Sequence, residues 1–168
     1  MKYLTLIRHA KAENAGMDIS DAQRDLAERG VHDARLMGTQ LRRVFPPPQI
    51  VCVSAAVRAR RTVEELLKRA DSAKSGKDPV VEVEEGLYLA DPEDIWEYAH
   101  GALLQKDEVW VCAHDPGITE AIERFSGSRI ERVPTLGIAR IAWENLPPVG
   151  RNGSLLFFDM PANHRKKK

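Results

Sequence analysis

The chain alternates short apolar runs with longer segments in which apolar residues recur at helical spacing. Four runs have the composition of β-strands, and they occupy 3–7, 50–53, 80–83 and 108–113. The first, second and fourth are almost continuously apolar, which is typical of strands covered on both faces of a parallel sheet. Two later runs, at 136–143 and 154–159, flank a Gly-Arg-Asn-Gly turn and predict an antiparallel pair.

The segments between these runs predict helices. Residues 21–44 place Leu26, Ala34 and Met37 on one face of an amphipathic helix, which three consecutive prolines then end. Further helices are predicted over 59–70, 92–104 and 117–125, with a polar loop over 71–79. The alternation predicts a three-layer α/β/α sandwich with a mainly parallel central sheet. We expect one domain over residues 1–160 and a basic, disordered tail over 161–168.

Charge and composition narrow the class of partner. The 168 residues carry 25 Lys+Arg against 25 Asp+Glu, so the chain has no net charge. It therefore lacks the broad positive field that attracts nucleic acids or anionic membranes. No apolar run approaches the roughly 20 residues of a membrane span, and the first residues lack a secretory signal pattern. Cys52 and Cys112 both lie in apolar runs, as buried thiols do in a reducing compartment. We therefore expect a cytoplasmic protein that binds neither nucleic acid nor membrane.

The residues at the ends of the strands carry the candidate chemistry. Arg8 and His9 end the first strand, Arg58 follows the second, and His114 follows the strand at 108–113. Ligands of open parallel sheets bind at the carboxyl ends of the strands, where these four side chains would meet. Two guanidiniums beside two imidazoles predict a pocket for a tetrahedral oxyanion, and a phosphoryl group is the natural ligand. The three other histidines, His32, His100 and His164, are interpreted as surface residues.

Other chemistries fit this pattern less well. His9, His114 and Asp115 could ligate a metal ion, but Arg8 and Arg58 would repel a divalent cation and no His-x-x-x-His or Cys-rich spacing is present. The Gly-x-x-x-x-Gly-Lys loop that binds nucleoside triphosphates is also missing. With a phosphoryl group between two imidazoles, one histidine can attack phosphorus as a neutral nucleophile.

Ordered motifs along most of the chain resemble one family. Residues 6–12, Leu-Ile-Arg-His-Ala-Lys-Ala, resemble the Arg-His-Gly/Ala signature of the histidine phosphatase superfamily, also called the phosphoglycerate mutase-like family. Segments 24–30, 54–62, 86–88 and 111–117 are similar to motifs of its SixA branch, the phosphohistidine phosphatases. The resemblance implies that His9 is the phosphate-accepting nucleophile and that Arg8, Arg58 and His114 complete the phosphate pocket. It implies no metal and no organic cofactor.

Two departures from the family pattern affect the chemistry. Asp115 replaces an asparagine that is usual beside the second histidine, and could either raise the proton affinity of His114 or weaken anion binding. Leu89 stands where many relatives carry a glutamate that is a candidate general acid. Glu84, Glu85 and Asp91 are the nearby substitutes for a proton donor, although solvated or capping carboxylates are the commoner use of such residues.

A missing acid favours one substrate class over another. An alkoxide leaving group needs a proton, whereas imidazole leaving from phosphohistidine can be protonated by solvent near its pKa of about 6.5. The short connections also leave little chain for a lid, which suits a side chain on another protein. The first hypothesis is therefore a metal-independent phosphatase for phosphohistidine in proteins, working through a phosphohistidine intermediate on His9. A small-molecule phosphomonoesterase and a phosphoprotein-binding module with little turnover are the alternatives.

Overall fold

The computed structural model describes residues 1–68 and 77–165, which form six strands and four helices. The strands are β1 (Lys2–Arg8), β2 (Ile50–Ser54), β3 (Val80–Glu84), β4 (Glu108–Ala113), β5 (Ile138–Trp143) and β6 (Ser154–Asp159). The helices are α1 (Glu28–Val44), α2 (Val57–Lys68), α3 (Pro92–Leu103) and α4 (Gly117–Ser126). Short 3-10 turns occupy Asp21–Gln23, Glu85–Leu87 and Pro161–Asn163.

All six strands form one sheet, in the order β3-β2-β4-β1-β5-β6. The four strands β1 to β4 are parallel to their neighbours in this group, and β5 is antiparallel to both β1 and β6. The mainly parallel sheet and the antiparallel pairing of the last two strands are therefore confirmed. β2 and β4 are buried along their whole length because they lie inside the sheet, whereas β3 lies at an edge and is largely exposed.

Helices cover the sheet on both faces and create two hydrophobic cores. One core packs α3 and α4 against the sheet through Trp96, Ile118 and Phe125. The other packs α1 and α2 against the opposite face through Met37, Val63 and Leu66. The predicted α/β/α sandwich is confirmed, and apolar residues alternate between the two cores along each inner strand.

The first helix begins later than predicted. The prediction started it at residue 21, but α1 begins at Glu28, and Leu26 instead forms an antiparallel bridge with Ala12. Leu26 is buried and so matched the helical pattern, although an extended backbone places it there. The segment before α1 thus folds back over the end of β1, where the amide of Ala27 donates to the carbonyl of Lys11 at 2.9 Å. Gly30 permits this approach, because a Cβ there would lie 2.2 Å from the same carbonyl oxygen.

The chain beyond β6 packs back onto the domain. His164 contacts the Asp159 carboxylate at 2.5 Å, and Arg165 donates to the carboxylate of Asp33 on α1 at 2.8 Å. Asp33 is buried, so Arg165 neutralises a carboxylate that would otherwise be costly to bury. Residues 164 and 165 therefore contact the domain through these two ion pairs. Residues 166–168 of the predicted tail lie outside the described residues, as do 69–76 of the predicted helix end and polar loop.

Two further expectations concern membrane-spanning segments and the state of the cysteines. Of the helices in the described ranges, none is both long and apolar enough to cross a membrane. Cys52 and Cys112 are free and buried. Burial raises the pKa of the Cys52 thiol to about 12 and also raises that of Cys112, so both stay protonated.

Candidate active site

Neighbouring parallel strands bring the predicted side chains together at one edge of the sheet. β1 and β4 pair with Arg8 opposite Ala113, so His9 and His114 follow adjacent strand ends. The amide of His9 donates to the carbonyl of Ala113 at 3.1 Å, and the two imidazole centroids are 5.1 Å apart. Arg58 comes from the first turn of α2, directly after β2, which is the other neighbour of β4.

His9 is oriented by a backbone contact. Its Nδ1 lies 2.8 Å from the carbonyl oxygen of Ala10, and since a carbonyl can only accept, Nδ1 carries the proton. Nε2 therefore holds the lone pair, and Arg58 Nε approaches it at 3.4 Å. Burial is the main cause that lowers the pKa of His9 to about 4, and the charges of Arg58 and Arg8 lower it further. At neutral pH His9 is an uncharged imidazole with Nε2 available for attack on an electrophile.

His114 is buried and bonded on both ring nitrogens. Nε2 lies 2.7 Å from Ser54 Oγ, and Nδ1 lies 3.4 Å from a terminal nitrogen of Arg58. Burial, followed by the charges of His9 and Arg58, lowers the pKa of His114 to about 3. Because the Ser54 hydroxyl can donate or accept, it is compatible with either tautomer of the neutral ring. A guanidinium only donates, so Nδ1 accepts from Arg58 and the proton of the neutral ring lies on Nε2 in this contact. In the other tautomer, which Ser54 also supports, Nδ1 carries the N–H and can donate to an anion that replaces the Arg58 contact, without a gain of charge.

Arg8 and Arg58 are both held from one side. Arg8 donates from a terminal nitrogen to the carbonyl of Val133 at 2.7 Å, and its Nε is buried without a hydrogen-bond partner among the described residues. Arg58 is 2% exposed, and its terminal nitrogens donate to the backbone oxygen and the carboxylate of Asp21 at 2.7 and 2.9 Å. Each guanidinium thus keeps donors for an oxyanion beside the two imidazoles.

Sequence reasoning missed two groups at this site. Asp21 was placed at the start of a helix, and Tyr88 was matched only as part of a motif. Tyr88 donates to the Asp21 carboxylate and packs edge-on against His114 with ring centroids 5.3 Å apart. A possible signal was the spacing of Asp21 three residues before Arg24, which donates twice to the same carboxylate.

The hydrogen bonds described for the Asp115 carboxylate are made with Thr119 and Arg132. Its carboxylate accepts from the amide and hydroxyl of Thr119 at 3.1 and 2.5 Å and from Arg132 Nε at 3.1 Å. The pKa of His114 is lowered, and the charge of Asp115 acts instead on Arg8, whose pKa it raises against the effect of burial. Within residues 1–68 and 77–165, no group of three or more His, Cys, Asp or Glu side chains is arranged to hold a metal ion.

Two of the three candidate proton donors, Asp91 and Glu85, lie outside the hydrogen-bonded group of His9, Arg58 and His114. Asp91 accepts from the amide of Asp94 at 2.9 Å and so caps α3. Glu85 is exposed in the turn Glu85–Leu87. Leu89, at the position where relatives carry the glutamate, is 59% exposed.

The fold and the pocket define a class of protein: an α/β sandwich in which the ends of neighbouring strands bring two histidines and two arginines together at one edge of the sheet. The family model of the histidine phosphatase superfamily (branch 1) matches residues 4–125, so the chain belongs to this superfamily of phosphatases. The resemblance seen in the motifs is thereby confirmed.

Two mycobacterial proteins are similar to the chain in sequence over most of its length. The chain is 31% identical to the uncharacterized protein ML1117 of Mycobacterium leprae over 156 residues, covering 83% of this chain and 91% of that protein. It is 32% identical to the uncharacterized protein Rv1276c of Mycobacterium tuberculosis, covering 84% and 92%.

Solved structures share the fold at lower identity. A protein histidine phosphatase SixA complexed with tungstate superposes with a TM-score of 0.81 at 23% identity, covering 97% of this chain and 99% of that one. The Agrobacterium tumefaciens protein described as a phosphohistidine phosphatase SixA gives 0.81 at 20% identity, covering 95% and 98%. A phosphoserine phosphatase of Entamoeba histolytica with 3-phosphoglyceric acid gives 0.65 at 14% identity, covering 95% and 97%.

Proposed function

We propose that this phosphatase hydrolyses phosphohistidine in proteins by way of a covalent intermediate on His9. One observation carries the proposal: His9 is a neutral imidazole whose Nδ1 is tied to Ala10, so that Nε2 faces the Arg58 guanidinium. A nucleophile with a free lone pair beside a rigid cationic fork is the arrangement that phosphoryl transfer to nitrogen needs.

The reaction has two steps. His9 Nε2 uses its lone pair to form a bond to phosphorus while the P–N bond to the substrate imidazole breaks, and that imidazole leaves with the electron pair. Water then attacks phosphorus, the bond to His9 Nε2 breaks, and inorganic phosphate is released with the proton balance completed by solvent. The guanidiniums of Arg8 and Arg58, with an N–H of His114, stabilise the charge on the non-bridging oxygens in both steps.

The groups around the pocket support phosphohistidine as the substrate class. Asp21 is the carboxylate nearest to Arg58, and the Tyr88 hydroxyl and Arg24 hold its pKa well below the usual range. An ionised carboxylate cannot protonate a leaving group, and Leu89 occupies the position where the family resemblance places a glutamate in many relatives. An imidazole leaving group tolerates this, since solvent can protonate it at its second nitrogen near pH 6.5, about its ordinary pKa.

Two further observations support a protein substrate, and a third supports a location in the cytoplasm. Structures described as SixA phosphohistidine phosphatases share the fold over almost the whole chain, and one of them binds tungstate, a tetrahedral oxyanion. The loop between Tyr88 and α3 is short and leaves little chain to enclose a free metabolite. The buried free thiols fit a reducing compartment.

The first test is rapid-quench labelling with a peptide that carries radiolabelled phosphohistidine. Wild type should acquire an acid-labile label and release phosphate, and His9→Ala should do neither, with a loss of at least about a thousandfold. His32→Ala, which removes an exposed histidine from α1, is the matched control and should behave as wild type. Release of phosphate by His9→Ala at the wild-type rate would overturn the proposal.

A substrate panel separates the alternatives. We expect kcat/KM for the phosphohistidine peptide to exceed that for sugar phosphates by about a hundredfold, which is the contribution that a missing general acid would withhold from an alkoxide leaving group. Comparable values would favour the small-molecule phosphomonoesterase. Peptide binding without label or release would favour the phosphoprotein-binding module.

A further inference from the structure

Arg58 presents two different edges to its surroundings. The end of the guanidinium, formed by its two terminal nitrogens, donates to the backbone oxygen of Asp21 at 2.7 Å and to its carboxylate at 2.9 Å. The side edge, formed by Nε and one terminal nitrogen, faces His9 Nε2 and His114 Nδ1, both at 3.4 Å. The contacts at the end are short and those at the side are long, so a ligand can replace only the second pair at little cost.

We propose that Asp21 is a positioning residue that fixes the rotation of the Arg58 guanidinium, so that its side edge is presented to a phosphoryl group lying between the two histidines. This inference rests on the phosphoryl pocket of the proposed function and adds to it a residue that acts through Arg58. A guanidinium is planar and rigid, so holding one edge in place sets the direction of the other.

Asp21 is itself held by two residues other than Arg58, which qualifies it for this role. Tyr88 donates to the carboxylate oxygen that also binds Arg58, and Arg24 donates to the other oxygen from Nε and a terminal nitrogen at 3.0 and 2.7 Å. The carboxylate is 46% exposed, so packing alone would not keep it still. These bonds also keep Asp21 ionised, because they hold its pKa below the usual range.

Charge and hydrogen bonding must be separated in the test, since removing Asp21 also removes a negative charge beside an anion site. Asp21→Asn and Asp21→Ala remove the same charge, but only asparagine keeps a side-chain oxygen for the Arg58 terminal nitrogen. The difference between the two variants therefore reports the hydrogen bond to Arg58. Placing both in an Arg58→Ala background asks whether that difference needs Arg58.

The experiment measures tungstate affinity by calorimetry and, in parallel, the single-turnover rate of His9 labelling. We expect Asp21→Ala to bind tungstate about five- to tenfold more weakly than Asp21→Asn, with a similar gap in labelling rate. The gap should disappear in the Arg58→Ala background. Equal affinities in the native background, or a gap that persists without Arg58, would overturn the inference.

Controls address folding and the proposed function separately. Asp25→Ala removes another carboxylate of the same segment, which pairs with Arg61 rather than Arg58, and should leave tungstate affinity unchanged. If Asp21→Ala does not fold, Tyr88→Phe removes one bond that holds Asp21 and should weaken tungstate binding by about twofold. Tungstate binding needs no turnover, so absence of labelling in wild type would refute the proposed function while leaving this test intact.

Discussion

Two buried arginines of this protein, Arg140 and Arg58, differ in how completely their guanidiniums are paired. Arg140 on β5 is 4% exposed and donates to both oxygens of Glu108 at 2.8 and 2.6 Å. Its guanidinium also lies over the rings of Tyr3 and Phe45, 4.2 and 4.3 Å from their centroids. Charge, hydrogen bonds and packing are all satisfied there by residues of the chain.

Arg58, at the carboxyl ends of the strands, is equally buried but only half satisfied. Asp21 binds one edge of the guanidinium, while the other edge makes contacts of 3.4 Å with two uncharged histidines. Nearby, the buried Nε of Arg8 has no partner among the described residues. The difference teaches that a buried arginine is fully paired where its partner is built into the fold, and keeps hydrogen-bonding capacity for a ligand where it is not.

After removal of the nucleophile His9 itself, the largest effect on activity should come from Arg58→Ala. Removing the guanidinium takes away charge stabilisation before and during transfer, so we expect kcat/KM for the phosphohistidine peptide to fall by about a thousandfold. Arg61→Ala, on the same helix but paired with Asp25, is the matched control and should change kcat/KM by less than about twofold. A wild-type rate in Arg58→Ala would remove Arg58 from the pocket.

Arg140→Met should lower the stability of the fold without changing the rate of the reaction. It leaves the Glu108 carboxylate buried without its partner, so we expect a loss of about 3 kcal/mol in the free energy of unfolding, measured by urea denaturation. Adding Glu108→Leu should restore much of the loss, because the unpaired charge is then gone. The rate per folded molecule should not change, and a slowed reaction would break the comparison.

Acid should lower the free energy of unfolding through protonation of His9. The folded-state pKa of His9 is lowered to about 4 from an ordinary value of 6.5, so the unfolded chain binds more protons between these values. This contribution to stability is therefore present above pH 6.5 and is lost as the pH falls toward about 4. Between pH 6.5 and 5, His9→Ala should lose about 1 kcal/mol less stability than wild type in urea titrations. Identical losses would show that His9 is not held neutral.

The smallest effect is expected from Ser54→Ala. Without the hydroxyl, His114 Nε2 loses its 2.7 Å partner and one tautomer is no longer supported, so labelling of His9 should slow by about threefold to tenfold. Ser126→Ala removes a hydroxyl that bonds only to the backbone near the end of α4 and is the control. An effect as large as that of Arg58→Ala would mean that Ser54 itself contacts the substrate.

Residues at strand ends were predictable because the fold class alone determines where they meet. Arg8, His9, Arg58 and His114 follow apolar runs that are strands in the structure, and neighbouring parallel strands place their ends at one edge. Periodicity and motif spacing act over a few residues, and they were sufficient for these positions.

Asp21, Tyr88 and Asp115 were not predictable in the same way. Asp21 contacts Arg58 across 37 positions and Tyr88 across 67, and no local pattern encodes such pairs. The direction of the Asp115 carboxylate depends on Thr119 and Arg132, so identity at position 115 alone left two outcomes open. The predicted start of α1 was wrong for the same reason, since Leu26 is buried by a long-range bridge rather than by a helical face.

The burial of the two cysteines bears on how the protein responds to oxidants. Peroxides react with thiolates, and Cys52 and Cys112 are buried with raised pKa values, so neither offers a thiolate to the solvent. The proposed nucleophile is an imidazole, which does not follow the thiol oxidation ladder. A phosphatase of this design would keep dephosphorylating its targets through an oxidative burst that silences enzymes built on a reactive cysteine.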